Sequence, residues 1–377
     1  MIKFLLLPLS LGYAFVLMCR NWLFAIKLLP SQRFEGMAVI SVGNASMGGT
    51  GKTPMAEYLV DRYDAKGYRV AYLSRGYKRQ SQGFVEVDPK QHGAAEVGDE
   101  ALQVARKFPD VRVAVCENRT KGVQALETKG EVDVLILDDA MQHRGIQRDL
   151  NLCMIDATRP PWKDWVVPVG RLREPFWMVK QRTDFFVLTH YPRRARKRSF
   201  VKHIDAQKTA YTRTQVQDIN LAWGQGETLA PEDIYARPMV VFAGLGNNRQ
   251  FNDFLLERGA LIKRFYNFSD HHQYSANNIK MIVKRFRKER RKEVYKIPPI
   301  VLTTEKDYMR LKDAGLLTPQ LNDIPIYYLE IALDFAGGKD KFDALADQIV
   351  QQHATRAQTG TISRDTGLYP ETLSGAA

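Results

Sequence analysis

At 377 residues the chain is longer than one hydrophobic core ordinarily grows, and a hydrophobic share of 45% is ample for two. The net charge of +13 and a pI near 9.5 point to an anionic partner, whether nucleic acid, an acidic membrane surface or a phosphorylated substrate. Cys19, Cys116 and Cys153 are scattered, odd in number and never spaced C-x-x-C, which excludes a disulfide framework or a cysteine zinc site and fits a reducing compartment.

Residues 1–29 are the most apolar part of the chain, with an uncharged run from Phe4 to Cys19. A helix spanning a bilayer needs about 20 such residues, and Pro8, Arg20, Asn21 and Lys27 shorten the clean stretch. An anchor lying in the membrane interface fits better, with Lys3, Arg20, Lys27 and Arg33 against lipid phosphates and Tyr13, Trp22 and Phe24 at the headgroup level. A buried core helix has the same composition. A secretory leader is disfavoured, because the stretch that follows calls for ATP.

That stretch, residues 37–60, reads as an apolar strand, a glycine-rich loop, a Lys-Thr pair and a helix. Gly48, Gly49 and Gly51 let successive N–H groups converge on one anion, and the helix adds its positive end at the same point. Ser46, Met47, Gly48, Gly49, Thr50, Gly51, Lys52 and Thr53 therefore form a phosphate-binding loop, with Lys52 on the outer phosphates and the Thr53 hydroxyl on magnesium. Ser46 replaces the first glycine of G-x-x-x-x-G-K-[ST], making this a variant loop.

Beyond it, strand-like runs at 37–42, 69–73, 111–116, 132–137, 152–155 and 185–189 alternate with helix-like segments at 55–65, 100–108 and 119–128. The pattern predicts a P-loop NTPase-like parallel sheet with helices on both faces and ligands at the carboxyl ends of the strands. A half-exposed strand is expected over 208–217, and a domain junction in the loop-like 220–233. A second, smaller α/β unit then begins at Met239, with a strand near 261–265, a basic helix over 275–294, strands at 300–304 and 326–329, and a helix over 339–352. The expected division is an anchor at 1–29, a P-loop domain at 30–225, a second domain at 226–354 and a disordered tail at 355–377.

Asp138 and Asp139 leave an apolar strand beside the loop and are placed to hold magnesium, with a turn or helix cap as the plain alternative. Gln142 and His143 follow within a turn, for substrate contact or capping. Asp99 and Glu100 precede a helix. Asp99 reads as an N-cap on that segment alone, and gains interest because phosphoryl transfer to a hydroxyl needs a group to accept or orient a proton. Asp270, His271 and His272 lie in a loop after a strand, where an imidazole could orient that carboxylate across a cleft. Arg75, Lys78, Arg79, Arg119, Arg171 and Arg173, with Glu174, fall in loops where they either face phosphate oxygens or form surface salt bridges.

The ordered set SVGNASMGGTGKTP, LSRGYKR, VGDEAL, LDDAMQHR, PVGRLREP, FAGLGN, FSDHHQY and TTEKDYMRL, behind an apolar N-terminal segment, resembles the tetraacyldisaccharide 4'-kinase (LpxK) family from the start of the chain to about Leu311. The resemblance implies two α/β/α domains joined partly by a two-stranded β linker. It implies transfer of the ATP γ-phosphoryl group to the 4'-hydroxyl of a tetraacylated disaccharide 1-phosphate, forming lipid IVA at the cytoplasmic face of the inner membrane. It makes Asp99 the base with His271 as partner, Asp138 and Asp139 the metal and charge-handling pair, and Arg75, Arg119, Arg171 and Glu174 active-site candidates, with Glu100, Gln142 and His143 toward substrate. ATP and Mg2+ are the implied cofactors. An anionic membrane is the implied surface partner, met by the basic runs at 193–198 and 284–292 unless these are simply a solvated loop and helix face, while neither nucleic acid nor an obligate protein partner is expected. A nucleotide-switched ATPase on membrane or nucleic acid is the alternative, and Met47 counts against it because deviant loops of that class carry an extra lysine there.

Overall fold

The alternation of buried apolar runs with amphipathic segments becomes, in the computed structural model, one twelve-stranded sheet. The structure describes residues 2–191, 200, 202–245 and 248–359. The strands are β1 (Ala38–Asn44), β2 (Val70–Ser74), β3 (Val85–Glu86), β4 (Arg112–Val115), β5 (Val134–Asp138), β6 (Leu150–Asp156), β7 (Phe185–Thr189), β8 (Thr209–Trp223), β9 (Pro238–Ala243), β10 (Leu261–Asn267), β11 (Ile300–Thr304) and β12 (Ile326–Gly337). Their spatial order is β10-β9-β11-β12-β8-β7-β6-β1-β5-β2-β4-β3. All neighbours are parallel except β3 with β4 and β8 with β12. Every residue of β1, β2, β5, β6 and β7 is buried, as strands covered on both faces must be.

The long pair β8 and β12 joins the two halves. Each runs further than its sequence suggests: the alternation ends near residue 217, but β8 continues to Trp223 because β12 supplies pairing from Gly337 back to Ile326, with three register shifts along the way. The segment expected to be a loop from residue 220 is therefore partly strand. A two-residue edge strand, β3, carries too little pattern to be read from sequence.

Helices relevant to the site are α1 (Ile2–Ala25), α2 (Lys52–Asp64), α3 (Ala94–Val97), α4 (Asp99–Lys107), α5 (Arg119–Lys129), α6 (Phe176–Lys180), α7 (Asn248–Glu257), α8 (Ala276–Arg290), α9 (Glu305–Asp313) and α10 (Lys339–Thr359). Helix α10 extends past residue 354, where the tail was expected to begin, and residues 360–377 lie outside the described residues. It was grouped by sequence with the second half, yet it packs on the first. Phe342, Ala346 and Val350 enter the same buried cluster as Met55, Leu59, Tyr63 and Phe185. Arg62 of α2 holds Asp347 through two bonds of 3.1 and 2.7 Å, and Tyr58 donates to Asp343 at 2.7 Å.

Helix α1 lies on the first half with one narrow face. Buried Ser10 donates to the Val166 carbonyl at 2.8 Å, and Asn21 donates to Glu174 at 3.3 Å. The rest of the helix is open: Leu5, Leu9, Leu11, Phe15, Val16 and Trp22 are all exposed. By length and composition residues Leu5–Ala25 could cross a membrane, and only 11% of that window is buried against the protein. Helix α8, by contrast, packs on β9 and β10 at the opposite end of the strand order. Part of its basic run is ion-paired, Arg285 and Lys292 with Glu289 and Arg287 and Arg290 with Asp323, so two carboxylates meet four of the seven cations at 284–292 and the run stays positive. The run at 193–198 lies outside the described residues.

Candidate active site

Strand β1 ends in a glycine-rich loop because the chain must turn sharply into α2: Gly48 and Gly51 have φ of 105° and 77°, a region open to glycine at little cost. The turn is braced from within by Asn44, which donates to the Thr50 hydroxyl at 2.6 Å, and from β7 by the Thr189 hydroxyl, which donates to the Thr50 carbonyl at 3.0 Å. Residues 171–173 run alongside it, with the Met47 N–H donating to the Arg171 carbonyl and the Arg173 N–H to the Ala45 carbonyl, each at 2.8 Å. A cavity of about 100 Å³ opens here, lined by Ser46 to Thr50 with Asp156, Arg159 and Arg171. Arg171 reaches it while its Nε donates to Asp164 at 2.9 Å. Lys52 and Thr53 are the first two residues of α2, so the amino end of that helix faces the same point.

Beside the loop, β5 delivers Asp138 and Asp139 to two different environments. Asp138 is buried. Its Oδ2 accepts from Tyr72 at 2.9 Å, and its Oδ1 is buried without a hydrogen-bond partner. Burial pushes its carboxyl up to about 6 despite the Lys52 charge nearby. Asp139 adopts a φ of 48° and turns its side chain to cations: Arg173 grips both oxygens at 2.7 and 2.9 Å, and Lys52 Nζ lies 3.6 Å from Oδ1. Burial works against ionisation there, but Lys52 and Arg173 prevail and hold the group near about 2. The structure thus divides the adjacent pair. Asp138 has an oxygen left for a cation, whereas both Asp139 oxygens are engaged by arginine.

Among the described residues, Arg119, buried at the start of α5, donates only to the Glu117 and Asp139 carbonyls, both at 3.3 Å, and its Nε has no partner. A guanidinium without a carboxylate partner is suited to an incoming anion. Burial lowers its pKa, with Asp139 opposing and Arg75 adding to the effect. Arg75 is exposed on the same rim. His143 contacts the Thr120 hydroxyl at 3.3 Å, and burial followed by repulsion from Arg119 and Arg148 lowers it to about 4.

Two candidates brace the site from behind. Glu174 is buried and gripped through both oxygens by Arg182 at 2.7 and 2.8 Å, with further bonds from Asn21 and Gln142. Gln142 also donates to the Asn44 carbonyl at 2.9 Å. These contacts connect α1 to the phosphate loop and leave Glu174 and Gln142 little freedom to meet substrate.

Asp99 is the first residue of α4, and its carboxylate points away from the helix across the gap between the halves; the N-cap is Gly98, at a φ of 89°. His271 Nδ1 lies 2.9 Å from Asp99 Oδ2, so the structure brings together the carboxylate and imidazole expected to pair. Tyr77 packs its ring 5.3 Å from that imidazole. Arg310, from α9, binds the same oxygen and was absent from the sequence-based site; its spacing from Asp307 in TTEKDYMRL was the available signal. Arg173 and Tyr72 were likewise passed over as partners of the aspartate pair. Next to Asp99, Glu100 pairs with Lys306 at 2.9 Å. His272 instead stacks on Phe268, 4.4 Å away, inside the second half.

Comparison with known proteins identifies the family. Residues 2–351 match the family model described as LpxK, tetraacyldisaccharide-1-P 4'-kinase. This chain belongs to the LpxK family. Among curated LpxK-family relatives, the tetraacyldisaccharide 4'-kinase of Pelodictyon phaeoclathratiforme is 33% identical over 360 residues, covering 93% of this chain and 98% of its own. That of Flavobacterium johnsoniae is 32% identical, covering 94% and 98%. The crystal structure of LpxK from Aquifex aeolicus in complex with ATP superposes with a TM-score of 0.72 at 30% identity, covering 93% of this chain and all of that one.

Proposed function

We propose that this chain transfers the γ-phosphoryl group of ATP to the 4'-hydroxyl of a tetraacyldisaccharide 1-phosphate. It is an ATP-dependent kinase of the lipid A precursor. The observation that carries the reading is that one sheet carries both a glycine-rich loop ending in a Lys52 paired with Asp139 and an Asp99–His271 pair.

Residues 46–51 cradle the phosphate chain with main-chain N–H groups, while Lys52 and Arg119 meet charge on the group in transfer. Asp139, fixed by Arg173, holds Lys52 in place. Bound Mg2+ would supply charge neutralisation between donor phosphates. The residues fit it: Asp138 offers a buried unpartnered oxygen, and Thr53 stands at the start of α2. No cluster of three or more metal-ligating side chains exists among the described residues, as suits an ion held largely by phosphate and water. Asp99 accepts the sugar hydroxyl's hydrogen bond and orients its lone pair. Burial alone would raise the Asp99 carboxyl, but His271 and Arg310 hold it far below the usual range, so it is ionised throughout the working pH range. Such a weak base suits a loose transition state, in which positioning outweighs proton removal.

The exposed apolar face of α1 would rest in a membrane interface, at the cytoplasmic side where ATP is present, and present the acyl-bearing substrate to the loop that α1 braces. Arg75, Arg171 and His143 line the rim as candidates for substrate contact. In detergent micelles, γ-labelled ATP should label a tetraacyldisaccharide 1-phosphate with the wild-type protein and not with Lys52→Ala. Hydrolysis of ATP without lipid labelling would refute the assignment.

A further inference from the structure

Asp99 stands on α4 in the first half, and every side chain that binds it comes from the second. Arg310 donates to Asp99 Oδ2 from Nη2 at 2.6 Å and from Nε at 3.0 Å, and His271 Nδ1 meets the same oxygen at 2.9 Å. No hydrogen bond among the described residues ends on Oδ1, which is not fully buried, while the side chain as a whole is 16% exposed. The open edge of the carboxylate is therefore the one the substrate would meet. The guanidinium is itself locked: Nη1 donates to Asp307 Oδ1 at 2.8 Å and to the Gly244 carbonyl at 3.1 Å. Asp307, fully buried, is fixed in turn by the Gly244 N–H at 2.9 Å and the Thr304 hydroxyl at 2.7 Å.

Asp99 settles the imidazole. Arg310 Nη2 also lies 3.3 Å from His271 Nδ1, but a guanidinium can only donate, so with a proton on Nδ1 that approach is a contact and not a hydrogen bond. The ionised Asp99 can only accept, so a 2.9 Å contact with Nδ1 requires the imidazole proton between them. Nδ1 is thus the protonated nitrogen, and Nε2 faces Asp270 at 3.8 Å. The other charged groups around Asp99 are Glu100 and Lys306, paired with each other.

We propose that Arg310 is a positioning residue for phosphoryl transfer: by anchoring Oδ2 from the opposite half, it aims Oδ1 at the acceptor hydroxyl and makes a competent Asp99 conditional on closure of the two halves. The inference rests on Asp99 being the group that orients the hydroxyl. Lysine in place of Arg310 keeps the charge but cannot reach Asp99 and Asp307 with the same planar fork.

The test is steady-state phosphoryl transfer by wild-type protein, Arg310→Ala, Arg310→Lys, Asp99→Ala and the double Asp99→Ala/Arg310→Ala, with folding checked by thermal unfolding. Arg310→Ala should lower kcat about 100-fold with KM for ATP within about twofold, and Arg310→Lys should recover about tenfold of it. Arg310→Ala should show an acidic limb of kcat that the wild type lacks within the working pH range, because Asp99 loses a cation that keeps it ionised. Arg310→Ala should add almost nothing to Asp99→Ala. If Asp99→Ala is inactive but Arg310→Ala keeps the wild-type kcat profile, or its loss multiplies with that of Asp99→Ala, the proposal is overturned while the role of Asp99 stands. Near-normal turnover by Asp99→Ala would overturn both. Should Arg310→Ala unfold, the KM-against-kcat split in Arg310→Lys decides the question, and a wild-type kcat there overturns the proposal.

Discussion

The two sides of the reaction path are built in different ways. On the donor side, the loop, Lys52, Asp138, Asp139, Arg173 and Arg119 all come from the first half, on adjacent strands β1 and β5 and the segments that flank them, locked by bonds that need nothing from the second half. On the acceptor side, Asp99 comes from the first half and His271 and Arg310 from the second, so the group is complete only when the halves meet. Around it the junction is polar, with Glu100–Lys306 at 2.9 Å, Arg106–Asp313 at 2.6 Å and Lys107–Glu330 at 3.7 Å. On the proposed reading, the nucleotide site is complete within the first half, whereas the acceptor site needs side chains from both.

The largest effects should separate these sides. Lys52→Ala is expected to lower turnover about 1,000-fold or more and to weaken nucleotide binding, measured with a fluorescent ATP analogue. Asp99→Ala should lose a similar order of turnover, yet bind that analogue within about twofold of wild type. Weakened nucleotide binding by Asp99→Ala would mean that the two sides are one unit, and the comparison would fail.

A smaller effect tests the junction through pH. Glu305 of α9 shares the Gln103 amide with Glu57 of α2, at 3.2 and 2.9 Å. Burial first, and then Glu57, push its carboxyl up to about 7. A folded-state pKa above the unfolded one means that the native protein binds the extra proton, so this group's stabilisation is full below the unfolded value, about 4.3. It is lost as pH rises through about 7. Glu305→Gln should flatten that part of the stability profile and leave the protein more stable at pH 8 by about 1–3 kcal/mol, as read by thermal unfolding. An unchanged profile would place the coupling elsewhere. Least costly should be Arg106→Ala, which removes the pair with Asp313: less than about 1 kcal/mol of stability, a loss that high salt reproduces in the wild type. A larger, salt-insensitive loss would show that this contact bears more of the closure than its polar character suggests.

Local patterns were easy to read where one segment does one job. The glycine loop announces itself because a phosphate cradle needs glycine, lysine and threonine at fixed spacing, and six buried strands were evident because strands covered on both faces need continuous apolar runs. The Asp99–His271 pairing was reached through the motifs these residues share with a known family, since 172 residues of chain separate them. Asp138 and Asp139 looked equivalent, and their different environments come from what surrounds them: Tyr72 and burial on one, Arg173 and Lys52 on the other.

By itself, then, the sequence determined the donor side, the apolar N-terminal helix and the alternation that builds a parallel sheet, because each depends on side chains close along the chain. Tertiary structure alone decided that α10 returns to the first half, that β8 and β12 lengthen against each other, that Glu174 and Gln142 brace the loop, and that Arg310 holds Asp99. Each of these is a pairing between distant segments, whose energy comes from the partner's position and leaves no periodic trace in either segment.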